Sequence, residues 1–138
     1  MRASSLRPES ASSLCRVLAR FPQLTLALVY GSVARGTPRP DSDLDIAVAS
    51  ERGTLTEGER MDIIGALAQE TGRPVDLIDL QAASPPLLSE ILRHGHRIRG
   101  DDTAYGRLIS RNLFAQADFA PYRNRLLKER RAAWMPPL

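Results

Sequence analysis

Apolar residues fall in short blocks along the chain, and their spacing alternates between the periods of helix and strand. Residues 9–20, ESASSLCRVLAR, place Leu14, Val17 and Leu18 on one helical face, and Pro22 marks the end of that helix. LTLALVY, residues 24–30, is short, apolar and stopped by Gly31, which predicts a strand. LDIAVA, residues 44–49, predicts a second strand after a loop carrying Thr37, Pro38, Arg39 and Pro40. Thr56 to Thr71 reads as a helix, with Met61, Ile64, Leu67 and Ala68 recurring on one face and Gly72 at the C-terminal stop. Thr56 and Glu59 have the spacing of a capping box, while Gly58 and Gly65 lower the propensity.

PVDLIDL, residues 74–80, predicts a third strand, and Ser84 then caps a helix that opens on Pro85 and ends at Gly95. HRIR is a short fourth strand. Asp101 or Asp102 caps a helix running to about Ala117, Pro121 breaks or kinks it, and a basic final helix covers about 122–133. This order predicts an α/β (α+β) fold: a small mixed sheet of three to four strands flanked by helices, with further helices at the C-terminus. It is too small for a doubly wound dinucleotide fold.

Composition adds limits. A length of 138 residues suits one domain, and 43% hydrophobic with 25% charged residues is ordinary for a globular chain. No apolar stretch approaches the roughly 18–20 residues of a membrane span. The N-terminus lacks the apolar segment of a signal peptide, so a cytoplasmic location is expected. The single cysteine, Cys15, has no disulfide or zinc partner of its own kind and reads as a buried structural thiol. The +3 net charge is uneven. Residues 121–138 hold Arg123, Arg125, Lys128, Arg130 and Arg131 against Glu129, a local +4 that leaves the rest near −1. Such a tail can meet nucleic acid or an acidic protein surface, or form a solvated helix face. It lacks regular aromatic interleaving, so direct nucleic-acid binding is not expected.

The chemistry concentrates in VYGSVARGTPRPDSDLDIAV, residues 29–48. Alternation along a strand puts Asp43 and Asp45 on one face. Two close carboxylates repel, and the economical compensation is a divalent cation. Oxygen ligands suit Mg²⁺, which keeps waters and joins a few carboxylates to substrate phosphates. Gly31 and Ser32 end the preceding strand, where glycine admits a phosphate close to the backbone and serine adds a hydroxyl donor. Arg35 and Arg39 supply positive charge for a polyphosphate. Ser42 reads as a turn or capping residue at the edge of this nucleotide-binding set of Gly31, Ser32, Arg35 and Ser42, and Asp41 as a loop acid. The assembly points to metal-assisted phosphoryl or nucleotidyl transfer at a two-metal site. A third carboxylate is expected from VDLIDL. Asp76 and Asp79 face opposite sides of that strand, so one of them joins; Asp76 is preferred and Asp79 is the reserve. His94 and His96 flank Gly95 at a helix end, where an imidazole meets the dipole favourably.

At Gly31-Ser32 and Asp43-x-Asp45 the sequence resembles the polymerase-β-like nucleotidyltransferase superfamily. Its shortness, RPVDLIDLQAASPPLLSEILRHGHRI and the C-terminal RNLFAQADFAPYRNRLLKERRAAW resemble the minimal nucleotidyltransferase (MNT-domain) antitoxins of HEPN/MNT toxin–antitoxin systems. The resemblance implies the polymerase-β-like fold, with a core over 1–100 and a helical extension over 101–138, kinked near Pro121 and docking a partner within the same single domain. It further implies an antitoxin that uses ATP and Mg²⁺ to transfer AMP onto a tyrosine of a cognate HEPN-domain ribonuclease toxin. Gly31 and Ser32 would hold the triphosphate. Asp43, Asp45 and Asp76 would be the catalytic acids and metal ligands, with Asp76 also the candidate base. A stoichiometric antitoxin that only masks its toxin is the alternative; a small-molecule nucleotidyltransferase of the aminoglycoside type ranks third.

Overall fold

The computed structural model describes residues 8–31 and 42–113. Chain order is α1 (Pro8–Leu18), β1 (Leu24–Tyr30), β2 (Leu44–Ser50), α2 (Glu57–Thr71), β3 (Val75–Asp79), α3 (Pro85–His94), β4 (His96–Arg99) and α4 (residues 102–113). The four strands form one mixed sheet in the order β3-β2-β1-β4. β1 is antiparallel to both β2 and β4, whereas β2 and β3, joined through α2, run parallel. The sheet therefore points the end of β1 and the starts of β2 and β3 the same way.

Both faces of the sheet are covered, which explains why β1 and β2 are nearly continuous apolar runs rather than alternating ones. On one face Ala27, Val29, Ile46, Val48 and Leu77 pack with Leu14, Val17 and Leu18 of α1 and with Ile63 and Leu67 of α2. On the other, Leu26, Leu28, Ala47, Ala49 and Leu80 pack with Leu88 and Ile91 of α3 and Leu108 of α4. Each fully buried leucine or isoleucine contributes about 1.5–3 kcal/mol. Helix α4 shares this second core, with Ala104 and Tyr105 packed against it, so the chain beyond residue 100 begins as part of the same body.

Local signals decide the helix ends. The Thr56 hydroxyl accepts from the Glu59 amide while the Glu59 carboxylate accepts from the Thr56 amide, completing the capping box, and Gly72 closes α2 in the left-handed region at φ 68°. Ser84 holds the N-cap position of α3, but its side chain makes no capping hydrogen bond. Pro86, at the second helical position, carries no N–H, which removes one of the two donors such a cap would serve. Asp101 is the cap of α4, its Oδ1 accepting from the Ala104 amide at 2.8 Å.

Three expectations shift. Met61 was expected on the core face of α2 and is 58% exposed; the buried stripe runs through Ile63 and Leu67. Arg60, one position before Met61, sends its guanidinium to the Leu77 carbonyl at 2.6 Å. Cys15 is half-buried rather than buried, and its thiol donates to the Ile98 carbonyl at 3.0 Å. His94 lies in the last turn of α3, 3.5 Å from Glu90, whereas His96 already opens β4. No described helix is long and apolar enough to cross a membrane. The helix to Ala117, the kink at Pro121 and the basic tail fall, beyond residue 113, outside the described residues.

Candidate active site

Register places the acids. Across the antiparallel β1–β2 pair Tyr30 stands opposite Asp45, and across the parallel β2–β3 pair Asp45 stands opposite Asp76. Adjacent strands are about 4.8 Å apart, so Tyr30, Asp45 and Asp76 form a row across three strands at one end of the sheet. Alternation assigns them to the face that carries Leu28, Ala47 and Ile78, where Tyr30 packs, partly buried, against the second core. Asp43 lies two residues before Asp45, exposed and just ahead of β2.

Asp43 sits on an anchored stretch. The Arg73 guanidinium donates to the Ser42 carbonyl at 3.1 Å, and the Leu44 amide donates to the Pro74 carbonyl at 2.8 Å. Asp43 is thus bracketed by two ties to the entry of β3. The Ser42 contact given by these bonds is through its main chain.

Gly31 meets the row from the end of β1. Its φ is +77°, and a β-carbon built there would collide with Asp45 Oδ2. Both facts demand glycine: the backbone is left-handed, and the Asp45 carboxylate occupies the space a side chain would need. What approaches this glycine in the structure is the Asp45 carboxylate.

The electrostatics of the row show in Tyr30. Burial, then the negative charges of Asp76 and Asp45, push its hydroxyl from the usual 10 up to about 12. Both carboxylates therefore act on one small volume, and Tyr30 stays protonated at its edge. Sequence reading passed over Tyr30. The signal was its place immediately before Gly31, where an amphipathic side chain ends a mostly apolar strand.

Asp79 has a different task. It shares the opposite face with Val75 and Leu77, at the far end of β3. Its Oδ2 accepts from the Leu55 amide at 2.7 Å and its Oδ1 from the Gln81 amide at 2.9 Å. Both oxygens are spent on loop main chain. Ser32, Arg35, Arg39 and Asp41 fall outside the described residues, so the phosphate-binding half of the expected site is represented here by Gly31.

Among the described residues, no three acidic, histidine or cysteine side chains stand ready to hold a metal ion as a group. The donor chemistry nonetheless fits Mg²⁺. Asp45 and Asp76 are register partners and both act on Tyr30, a pair of carboxylates of the kind a hard cation takes, and Asp43 lies exposed two residues ahead of Asp45.

The fold is that of a nucleotidyltransferase. The chain belongs to the polymerase beta nucleotidyltransferase family, whose model matches residues 13–104. It is 33% identical over 102 residues to the protein adenylyltransferase MntA of Shewanella oneidensis, covering 71% of this chain and 73% of that protein. Among solved structures it resembles a toxin–antitoxin crystal structure with AMP-PNP, at TM-score 0.75 and 25% identity over 86% of this chain and 96% of the other. It also resembles a chain from the complex of tri-AMPylated Shewanella oneidensis HEPN toxin with MNT antitoxin, at TM-score 0.59 and 26% identity, covering 91% and 92%.

Proposed function

We propose that the chain is an antitoxin nucleotidyltransferase that transfers AMP from ATP to a tyrosine hydroxyl of a cognate HEPN-domain ribonuclease toxin. The observation that carries the reading is the register partnership of Asp45 and Asp76, with the Gly31 main chain packed on the Asp45 carboxylate. Support comes from the likeness to the protein adenylyltransferase MntA and to the AMP-PNP and AMPylated-toxin complexes.

In the transfer, the tyrosine oxygen attacks the α-phosphorus, the bond to the β-phosphate oxygen breaks, and pyrophosphate leaves. Asp43, Asp45 and Asp76 are the residues that would hold Mg²⁺, which when bound offsets phosphate charge and orients the triphosphate. Asp76, exposed on β3, is the carboxylate that would accept the proton of the attacking hydroxyl. The Gly31 main chain lies against the Asp45 carboxylate, and Gly31, Ser32 and Arg35 are the residues that would grip the phosphates. Tyr30 borders the acids as a neutral hydroxyl, adding no charge to a crowded anionic site. The segment 101–138 is the docking element for the toxin, its first part fixed on the second core through Leu108.

The test is direct. Incubate the full chain with ATP labelled at the α-phosphate, Mg²⁺ and the product of the adjacent gene, and follow the label. The reading predicts label on the partner protein, abolished by EDTA. Label that never reaches the partner, or that still does with the Asp43→Ala/Asp45→Ala variant, would overturn it. Label on a small molecule with no partner present would favour the aminoglycoside-type alternative.

A further inference from the structure

The end of the sheet opposite the acids holds a cavity of about 920 Å³, between the start of β1, the ends of β2 and β4, and helix α4. Its floor is apolar: Leu26, Ala49, Leu80 and Leu108 belong to the second core and reach its surface here. Its wall is closed where β4 turns into α4. Gly100, at φ +113°, lies so near β1 that a β-carbon would sit 2.6 Å from the Thr25 carbonyl oxygen.

Three arginines from two elements line this cup: Arg99 at the end of β4, and Arg107 and Arg111 on α4. Arg99 donates its Nε–H to the Leu24 carbonyl at 2.8 Å, and Arg111 donates through Nη2 to the Leu80 carbonyl at 2.7 Å. Those bonds fix the two side chains while leaving guanidinium N–H groups over. Among the described residues none of the three is in an ion pair. Two acids also line the cup. Asp101 uses Oδ1 to cap α4, and Glu51 is exposed at the rim, so a positive excess remains.

We propose that this cavity is a second ligand site, separate from the acids, for a small organic phosphate of nucleoside-monophosphate size. The phosphate lies on the Arg107 and Arg111 guanidiniums, whose planar forks match its oxygens. The base or other apolar body lies on the floor of Leu26, Ala49 and Leu80. Small-molecule sites of mixed apolar and convergent polar lining span roughly 300–1,000 Å³, which suits this cup better than a protein helix. The inference does not depend on the transfer reaction proposed above.

AMP binding to the full chain, titrated by calorimetry in EDTA without Mg²⁺, tests it. The expected result is saturable binding that weakens at least about tenfold in Arg107→Glu and in Arg111→Gln, and that survives in Asp45→Asn. Arg107 is exposed and its side chain makes no hydrogen bond or ion pair among the described residues, so its variant separates ligand loss from misfolding; a thermal melt checks Arg111→Gln. No saturable binding in the millimolar range overturns the proposal. So does binding lost in Asp45→Asn but kept in the arginine variants, which belongs to the acid row. Inorganic phosphate binding as tightly as AMP overturns the role of the apolar floor.

Discussion

Asp45 on β2 and Asp76 on β3 are register partners on parallel neighbouring strands, which sets their carboxylates side by side. The relationship is costly to the fold, since like charges facing each other across a sheet are destabilising. Asp76→Asn is therefore expected to leave the melting temperature unchanged or raised while reducing AMP transfer at least about a hundredfold, the scale of lost general base catalysis. Melting curves and single-turnover transfer rates on the same preparation check both halves.

Asp79→Ala should behave in the opposite way. It strips the acceptors from the Leu55 and Gln81 amides, bonds of 2.7 and 2.9 Å, at about 1–3 kcal/mol. Transfer per folded molecule is retained. Urea unfolding paired with active-site titration distinguishes this pattern from that of Asp76→Asn.

Much of this was legible in the residues. The runs 24–30 and 44–49 match β1 and β2 closely, because each is apolar on both faces and bounded by loop signals. Thr56, Glu59 and Gly72 marked α2 through capping chemistry that is purely local. Alternation also put Asp76 and Asp79 on opposite faces. It could not say which of them adjoins Asp45, because that follows from the parallel register with β2, a long-range pairing. The distal arginines were invisible for the same reason: Arg99 and Arg111 reach one cavity from separate elements. Met61 was misplaced because α2 holds apolar residues at several competing spacings, and contact with the sheet chose Ile63 and Leu67.

Gly31→Ala tests the close approach to the acid row. The left-handed backbone and the collision with Asp45 Oδ2 predict a loss of about 1–3 kcal/mol in stability. Transfer should fall even below the temperature at which the variant melts, because the Asp45 carboxylate must move. Denaturant unfolding and a rate measured well below the melting temperature separate the two effects.

The capping box gives a pH prediction. The Glu59 carboxyl is held below its usual 4.5, chiefly by the hydrogen bond from the Thr56 amide. A depressed folded-state value means the contribution is complete above 4.5 and is lost as pH falls through the folded value. Glu59→Gln should accordingly show a shallower loss of stability on acidification below 4.5 than the unsubstituted protein. Denaturant midpoints taken across that range read the difference in slope.

The central claim is that the acid row does chemistry on a partner protein rather than merely helping to bind it. Neutralisation of the cognate HEPN-domain toxin by the Asp43→Ala/Asp45→Ala variant tests this most directly, with complex formation and ribonuclease activity measured on the same samples. The account predicts an intact complex whose ribonuclease stays active. A variant that silences the ribonuclease as fully as the unsubstituted protein would contradict it and leave masking as the mechanism.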